Sequence, residues 1–444
     1  MAWYNLLFQK MAHIKPFRAL RYDPARVAVS QAVTQPYDKI TPQMQERYYA
    51  ASPYNLVRII LGKRLATDGP ADNPYIRAAG FFSDWRRQSI FLQDAEPSLY
   101  RYSQTFTVPG STTQVERQGF IGLGKIVDYS AGIVFRHEQT LAKPKADRLD
   151  LLRASRAHFG QIFMLYSDPT NEIEQALRLP SSPVAELTDE YGVVHRLWPI
   201  SNPATVELVQ HAMQDKKLII ADGHHRYETA LTYRNERRAA DGAQTDAGSS
   251  PYEFVMMTFV NMDSPGLLVL PTHRVVHGLD SFSMDGFREK AAQFFTVDEV
   301  DCSLDARRAT AILKEAAHTG TSLLAVARDR VFLLSRPKSP ETALRGTSLR
   351  QQGLDVVQLH KCILEGALGI SEDAIRDQTN VSYIRDTAEA MATAREGKAD
   401  VSFLMNPVRM QQVRDIAFAG EVLPQKSTDF YPKLLTGLTI YALE

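Results

Sequence analysis

The sequence predicts an α+β fold. Two observations carry this: strand-length apolar runs are mixed with amphipathic helical stretches in irregular order, and no internal repeat organises them. Irregular order argues against a barrel or a solenoid. Beginning at the N-terminus, residues 13 to 40 read as short extended pieces broken by prolines, including Val27-Ala28-Val29. Thr41-Pro42 looks like an N-cap and first-turn proline opening a helix through Tyr49. Leu56-Val57-Arg58-Ile59-Ile60 reads as a strand, and residues 73 to 89 as a helix with Ala78, Phe82 and Trp85 on one side. LYRYSQTFTV and QGFIGLGKIVDY, joined through Pro109-Gly110-Ser111, suit a hairpin.

The middle of the chain continues with a charged segment, RHEQTLAKPKADRLDLLRAS, leading into a helix, and then QIFMLY, a buried strand. Residues 171 to 200 read as a helix and a small strand pair, and 203 to 214 as another helix. A strand at 218–221 precedes a helix to about Arg238, and the Gly/Ser/Ala/Asp-rich stretch 239–251 reads as a linker. Beyond it, EFVMMTFVNM and LLVLPTHRVV read as strands, residues 284–294, 305–317 and 354–367 as helices, and SLLAVARDRVFLLS as a hairpin. ADVSFLMNP is a strand, VRMQQVRDIAFAG a helix ending at a glycine, and LTGLTIYAL a terminal strand. The organisation this gives is an extension at 1–10, a core at 11–240, and a C-terminal α/β domain at 252–444 contributing to the same cleft.

Composition narrows the function class. A length of 444 residues suits two or three domains. Basic and acidic residues balance at 51 each, so the basic excess of a dedicated nucleic-acid binder is missing and DNA is not the expected partner. Cys302 and Cys362 make no disulfide framework and suit a reducing cytoplasm. No apolar run approaches the roughly 20 residues needed to span a bilayer, so no membrane association is expected.

The stretch LIIADGHHRYETA, residues 218 to 230, says most about chemistry. A buried strand stops at Asp222-Gly223, a tight-turn pair, and a helical pattern begins at Tyr227. In α/β folds such a turn exposes side chains at the strand's carboxyl end, beside the positive end of the following helix. An acid, two imidazoles and a guanidinium there (Asp222, His224, His225, Arg226) suit an anionic ligand, most simply a phosphate. The bland alternative is a solvated loop. Zinc is not indicated, because adjacent histidines point apart and no third ligand stands at a helical spacing.

Other polar clusters are weighed the same way. Arg136-His137-Glu138-Gln139-Thr140, followed by Lys143, Lys145, Asp147 and Arg148, is either a solvated connection or a lid facing substrate. Lys426-Ser427-Thr428 puts a lysine beside two hydroxyls, as phosphate handling requires, but the upstream glycine of a Walker loop is missing. The alternative is an exposed tail with aromatic packing around Phe430 and Tyr431. His273 and Arg274 end an apolar run and lie at a strand end or in the core. Asp38, after Pro36-Tyr37, is a general base, a metal ligand or a plain turn residue.

Together KPFRALRYDP, QPYDKI, NLVRI, HEQT…DR, ADGHHRYETA, PTHRVV and QKSTDFYPK…GL resemble, over residues 11 to 444, the domain-of-unknown-function family 1015. The strand–DGHHR–helix element is further similar to the signature of the ParB/sulfiredoxin superfamily, whose free-serine kinases carry a closely similar Asp-Gly-His-His-Arg. The resemblance implies a mixed-sheet ParB/sulfiredoxin-like core with additional α/β elaborations. It implies that Asp222 is catalytic and that Gly223, His224, His225 and Arg226 bind nucleotide phosphate, with Lys426, Ser427 and Thr428 assisting. His137, Thr140, Lys143, Arg148, His273 and Arg274 then face substrate or form a lid. The kinases also use a glutamate near the N-terminal strand. Lys15-Pro16-Phe17-Arg18 has none, so Asp38 or Glu138 has to substitute. The implied ligands are ATP or ADP, Mg²⁺ carried by the nucleotide rather than by a protein motif, and a small hydroxyl metabolite such as free L-serine. A nucleotide-binding regulatory or ParB-like protein without metabolite kinase activity is the alternative. A sulfiredoxin-like reductase needs a cysteine where His224 stands.

Overall fold

The computed structural model describes residues 12–138, 142–178, 181–242, 248–338 and 342–444, with the backbone alone at 142–144. The fold is α+β, built from mixed parallel and antiparallel sheets with helices between them. Two compact units are present. The first takes the described residues up to Arg136, those from 142 to Leu267, and Pro432–Glu444; the second takes His137–Glu138 and Leu268–Tyr431. Among the described residues no helix is long and apolar enough to cross a membrane.

The first unit is organised by a nine-stranded mixed sheet. Its order is Val134–Phe135, Leu218–Asp222, Ile162–Tyr166, Phe254–Asn261, Gln114–Lys125, Leu99–Thr107, Val194–Ile200 and Ala185–Thr188, with Ile14–Lys15 paired to Gln114–Lys125. The Leu218–Asp222 strand runs parallel to Val134–Phe135 and antiparallel to Ile162–Tyr166, so it is paired on both edges. Strands covered on both faces read as continuous apolar runs, which is why Ile162–Tyr166 and Phe254–Asn261 are buried at every position. Ile220, Met164 and Phe259 pack with Val206, Val209 and Met213 of the Pro203–Met213 helix and with Tyr227. Each such side chain, fully buried, contributes about 1.5–3 kcal/mol. A second cluster joins Ile59, Ile60, Phe82, Trp85, Leu151 and Phe159.

Several sequence expectations need correction. Residues 57–60 form a short helix, Val57–Ile60, instead of a strand; an apolar run this short carries no decisive period, and the Asn55 side chain, accepting from Val57 N at 2.9 Å, tips it into a turn. Val29 likewise opens a short helix, Val29–Ala32. The expected terminal strand is ordered strand only at Tyr441–Ala442, with isolated bridges pairing Thr436 to Thr34 and Ile440 to Leu20. The helix after the DG turn begins at His224 instead of Tyr227. LLVLPTHRVV is two strands, Leu268–Leu270 and His273–Val276, because Pro271 cannot continue the ladder. The Thr41-Pro42 start, the Asn73-capped helix Pro74–Arg87 and the Leu99–Thr107/Gln114–Lys125 hairpin form as read.

The second unit centres on a six-stranded antiparallel sheet, ordered Thr296–Val300, Val331–Ser335, Leu323–Val326, Val401–Met405, His273–Val276 and Val381–Ile384. Helices Ala306–Ala316 and Thr387–Arg395 cover it, burying Leu313, Met391, Leu324 and Leu404 in one cluster. Asp355–Gln358 runs on into a π-helix, Leu359–Ala367, that carries His360 and Cys362.

Glycine permits a close strand approach in the first unit. A Cβ at Gly119 would press on the Phe259 carbonyl oxygen and come within 2.8 Å of Val260 Cγ2. The backbone there has no room to yield. Gly119→Ala is therefore expected to destabilise the fold by about 1–3 kcal/mol, read as a lower urea midpoint at unchanged slope. An unchanged midpoint overturns the assignment.

Candidate functional site

The site grows from the end of the Leu218–Asp222 strand. Ile219 and Ile220 are fully buried, while Asp222 is partly exposed. Gly223 adopts φ +93, a left-handed conformation open to glycine, and turns the chain directly into the His224–Asp241 helix. Arg226 therefore stands one turn after Asp222 and folds back onto it: Nη2 donates to Asp222 Oδ2 at 2.5 Å, and Nη1 donates to the Gln161 carbonyl. The glycine is needed twice, because a Cβ at 223 would lie 2.9 Å from Arg226 Nε.

The other carboxylate oxygen is held from far along the chain. Lys433 Nζ donates to Asp222 Oδ1 at 3.1 Å, and its side chain is 8% exposed. Buried polar groups place Lys433. Arg117 donates to the Pro432 carbonyl, and Gln104 Nε2 to the Lys433 carbonyl at 2.8 Å. Arg117 also donates to Gln104 Oε1 at 3.1 Å and lies 4.7 Å over the Phe163 ring. Burial pulls the Arg117 guanidinium down to about 10, and the nearby Tyr102 and Asp222 oppose that pull.

Electrostatics fix the charge on Asp222. Burial favours the neutral acid, but Lys433, Arg226 and Lys39 outweigh it together and hold the carboxyl far below its usual range. The short Tyr37–Lys39 turn borders this cluster. Burial pushes the Tyr37 hydroxyl up to about 12, with Asp38 and Asp222 adding to the shift and Arg148 and Arg226 opposing it. The Arg148 guanidinium lies 4.1 Å over the Tyr37 ring and donates to Ile60 O at 2.6 Å and to Asp147 Oδ2 at 2.9 Å. Asp222, Gly223, Arg226 and Arg148 thus border one region of the first unit, with Asp38 in the turn beside it. Asp38 is exposed. His224 is buried at the start of the helix and His225 half-buried.

His137, Glu138, His273, Arg274, Lys426, Ser427 and Thr428 belong to the second unit. His137 is fully buried with Nε2 2.8 Å from Thr428 Oγ1, and the Leu423 N–H donates to its carbonyl. Glu138 Oε1 accepts from the Lys426 backbone N–H at 3.0 Å, and Ser427 Oγ donates to Pro424 O at 2.5 Å. The HEQT and QKST segments thus join through backbone and hydroxyl contacts. His273 is also buried: Nε2 sits 3.0 Å from Thr387 Oγ1, Nδ1 accepts from Met405 N at 3.3 Å, and burial pulls the ring down to about 4. Arg274 is fully buried, donates to Thr272 O, Gln425 O and His360 Nε2, and lies over the Tyr383 ring at 5.1 Å. Thr140 and the Lys143 side chain lie outside the described residues.

Sequence reasoning passed over Lys433, Lys39 and Tyr37, although all three stand inside the quoted segments QKSTDFYPK and QPYDKI. A cation two residues past an aromatic pair is a weak signal, and only the three-dimensional pairing with Asp222 distinguishes Lys433 from Lys426.

The DUF1015 family model, described as a protein of unknown function, matches residues 14–357. The chain belongs to this family. Comparison with curated proteins gives no significant match. Among solved structures, this member of the family is similar to a free serine kinase variant in complex with AMP, at 13% identity over 67% of this chain and 83% of that one, with a TM-score of 0.34. It is also similar to a conserved hypothetical protein from Pyrococcus furiosus, at 13% identity over 69% and 90%, TM-score 0.33. A third is SbnI with a C-terminal truncation from Staphylococcus aureus, at 10% identity over 72% and 87%, TM-score 0.33.

The ion cluster has a pH signature. A carboxyl depressed in the folded state stabilises it fully above the unfolded value of about 3.9, and this stabilisation fades as pH falls towards the folded value. Lys433→Met weakens the depression. Urea unfolding is expected to show the variant about 1.5–3 kcal/mol less stable at pH 7, with the gap shrinking between about pH 4 and pH 2. A gap of equal size at pH 7 and pH 3 contradicts the assignment.

Proposed function

We propose that this protein is a nucleotide-dependent phosphotransferase acting on a small hydroxyl metabolite, with free L-serine as the leading acceptor and ATP or ADP as the donor. The observation that carries the reading is Asp222 held between two cations, Arg226 and Lys433, at the mouth of a strand-to-helix turn. Fixed cations beside the positive end of a helix attract a phosphoryl group and stabilise the charge spread over its oxygens during transfer. The Asp-Gly-His-His-Arg resemblance to free-serine kinases points to the same chemistry.

The charge states suggest an order of events. With Arg226 and Lys433 on its oxygens, Asp222 has little affinity for a proton and is a weak base. An incoming terminal phosphate competes for both cations. As they turn to the phosphate, the carboxylate is released and its proton affinity rises. The acceptor hydroxyl oxygen then forms its bond to phosphorus, the bridging P–O bond of the donor breaks, the nucleoside phosphate leaves with that electron pair, and the hydroxyl proton passes to Asp222. A magnesium ion held by the protein does not fit this cluster. Its carboxylate is already neutralised, and among the described residues no three His, Cys, Asp or Glu side chains gather as ligands. Mg²⁺ would arrive on the nucleotide.

A second reading keeps the phosphate site and drops the transfer: a nucleotide-binding regulatory protein. The tight pairing of Asp222 favours it, since a carboxylate that stayed paired with bound ligand could not accept a proton.

Two experiments separate these readings. Purified protein with Mg²⁺, serine and either ATP or ADP should yield O-phosphoserine. No turnover with either nucleotide across a panel of hydroxy-amino acids leaves only the binding reading. Asp222→Asn removes the competitor for the two cations. Nucleotide affinity is then expected to hold or rise while turnover falls by about 10²–10⁴-fold. Loss of binding in this variant defeats the competition scheme.

A further inference from the structure

We infer that Asp189, His195 and Tyr102 are positioning residues for Lys433, and that through Asp189 the same support holds the segment leading into the Tyr37–Lys39 turn. The inference rests on the phosphate reading of the Asp222 cluster, because it gives these residues a part in ligand affinity. They act through the chain and not on the phosphate.

The support starts at a hairpin turn. Strands Ala185–Thr188 and Val194–Ile200 pair antiparallel, and Asp189 opens the turn between them with its side chain 3% exposed. Oδ1 accepts from the N–H groups of Tyr191 and Val193 at 2.9 and 3.0 Å, which closes the turn. Oδ2 accepts from Gln35 Nε2 at 3.1 Å and lies 3.2 Å from His195 Nε2. Four donors fill the carboxylate. Burial favours the neutral acid, but His195 and the two backbone N–H groups outweigh it and hold the carboxyl below its usual range.

The order of protons follows from the partners. A carboxylate only accepts, so His195 Nε2 carries a proton and Nδ1 is left as an acceptor. The Tyr102 hydroxyl, 2.7 Å from Nδ1, donates to it, and its oxygen accepts from Leu435 N at 3.5 Å. Both rings are buried and stack with centroids 5.9 Å apart.

Both ends of this relay reach segments that bring cations to Asp222. Leu435 stands two residues beyond Lys433. Gln104, two residues along from Tyr102 on the same face of its strand, donates to the Lys433 carbonyl at 2.8 Å. Gln35 stands four residues before Lys39, whose charge also acts on Asp222. The Gln35 N–H donates to the Tyr48 hydroxyl at 3.3 Å, and that hydroxyl donates to Glu190, the residue after Asp189. The two segments also pair directly: Thr34 N donates to Thr436 O at 3.0 Å, and Thr436 N to Thr34 O at 2.8 Å. One hairpin turn thus grips both. A network that only packs strands acts on stability alone; one that ends beside both lysines also fixes where their ammonium groups stand.

The test is a double-mutant cycle read on ligand affinity. Tyr102→Phe removes the hydroxyl at almost constant volume. Titration calorimetry of the full chain is expected to show ADP and inorganic pyrophosphate each weakened by about three- to tenfold. In the Lys433→Met background the same substitution is expected to cost nothing further, because the group it positions is gone. His195→Phe carries the same test if Tyr102→Phe does not fold. Unchanged affinity in the single variant, or losses that simply add in the double variant, overturn the positioning role and leave the phosphate reading standing. If the wild type binds neither ligand, the phosphate reading falls. In that case, or if Lys433→Met binds too weakly to measure, the urea midpoints of the same four proteins decide: shifts that add overturn the positioning role, and a double-variant shift smaller than the sum supports it.

Discussion

A carboxylate that must stay ionised in a partly buried position governs the first unit. Asp222 terminates a strand whose preceding residues are wholly buried, so its charge cannot be left to water alone. Removing one partner from such a pair leaves an uncompensated charge, at a cost that reaches about 3–5 kcal/mol when burial is complete. The chain meets this need twice. Arg226 answers it locally, through a glycine turn that brings the first helical turn back over the strand end. Lys433 answers it from the last residues, and that requirement organises much else. Residues 432–444 return to the sheet, pair with Thr34 and Leu20 by isolated bridges, and lay Tyr441 on His158 with rings 6.1 Å apart. Arg117 and Gln104, side by side on the central hairpin, take up the carbonyls at 432 and 433. A buried arginine is tolerable there because its donors are used and its face rests on Phe163.

What the sequence disclosed follows the range of each interaction. The Thr41-Pro42 helix start was legible because the signal is local: Thr41 accepts from Met44 N. The long apolar strands were legible because burial on both faces leaves few polar residues to confuse them. The stretch at 56–60 was misread because its four apolar residues fit either period, and Asn55 decided the matter. The Asp222–Arg226 half of the site was readable, since both residues stand in one turn. Its Lys433 half was not, because no local pattern encodes a contact 211 residues away. Lys426 drew attention by standing beside two hydroxyls, yet the structure commits its backbone to Glu138 and the hydroxyls of Ser427 and Thr428 to Pro424 O and His137.

The second unit shows how polar motifs can serve a core. His273 and Arg274 end an apolar run, as a strand-end site would require, and both are buried. Their partners are protein groups: a threonine hydroxyl, backbone carbonyls, a backbone N–H and the imidazole of His360. His360 is carried on a π-helix, whose wider turn shifts the side-chain register and lets the ring meet Arg274 Nε. Burial drives both histidines towards the neutral form, the state in which a ring nitrogen can accept a hydrogen bond. Such a network specifies one packing of the sheet, because each member satisfies another.

The asymmetry between the two cations on Asp222 has a functional consequence. Arg226 reaches Asp222 across four residues of local chain. Lys433 is present only when the terminal segment has docked on the central hairpin. A phosphate-binding site that needs both is therefore conditional on the completed fold of the unit, which is a stricter requirement than the DGHHR motif alone imposes. The same asymmetry bears on exchange with ligand. Arg226 also donates to the Gln161 carbonyl, which holds its guanidinium from a second side. Lys433 carries a flexible four-carbon stem and three rotatable donors, so its head group has more freedom than the planar guanidinium. On the proposed phosphotransferase reading both cations pass to the phosphate, the lysine with more freedom than the arginine.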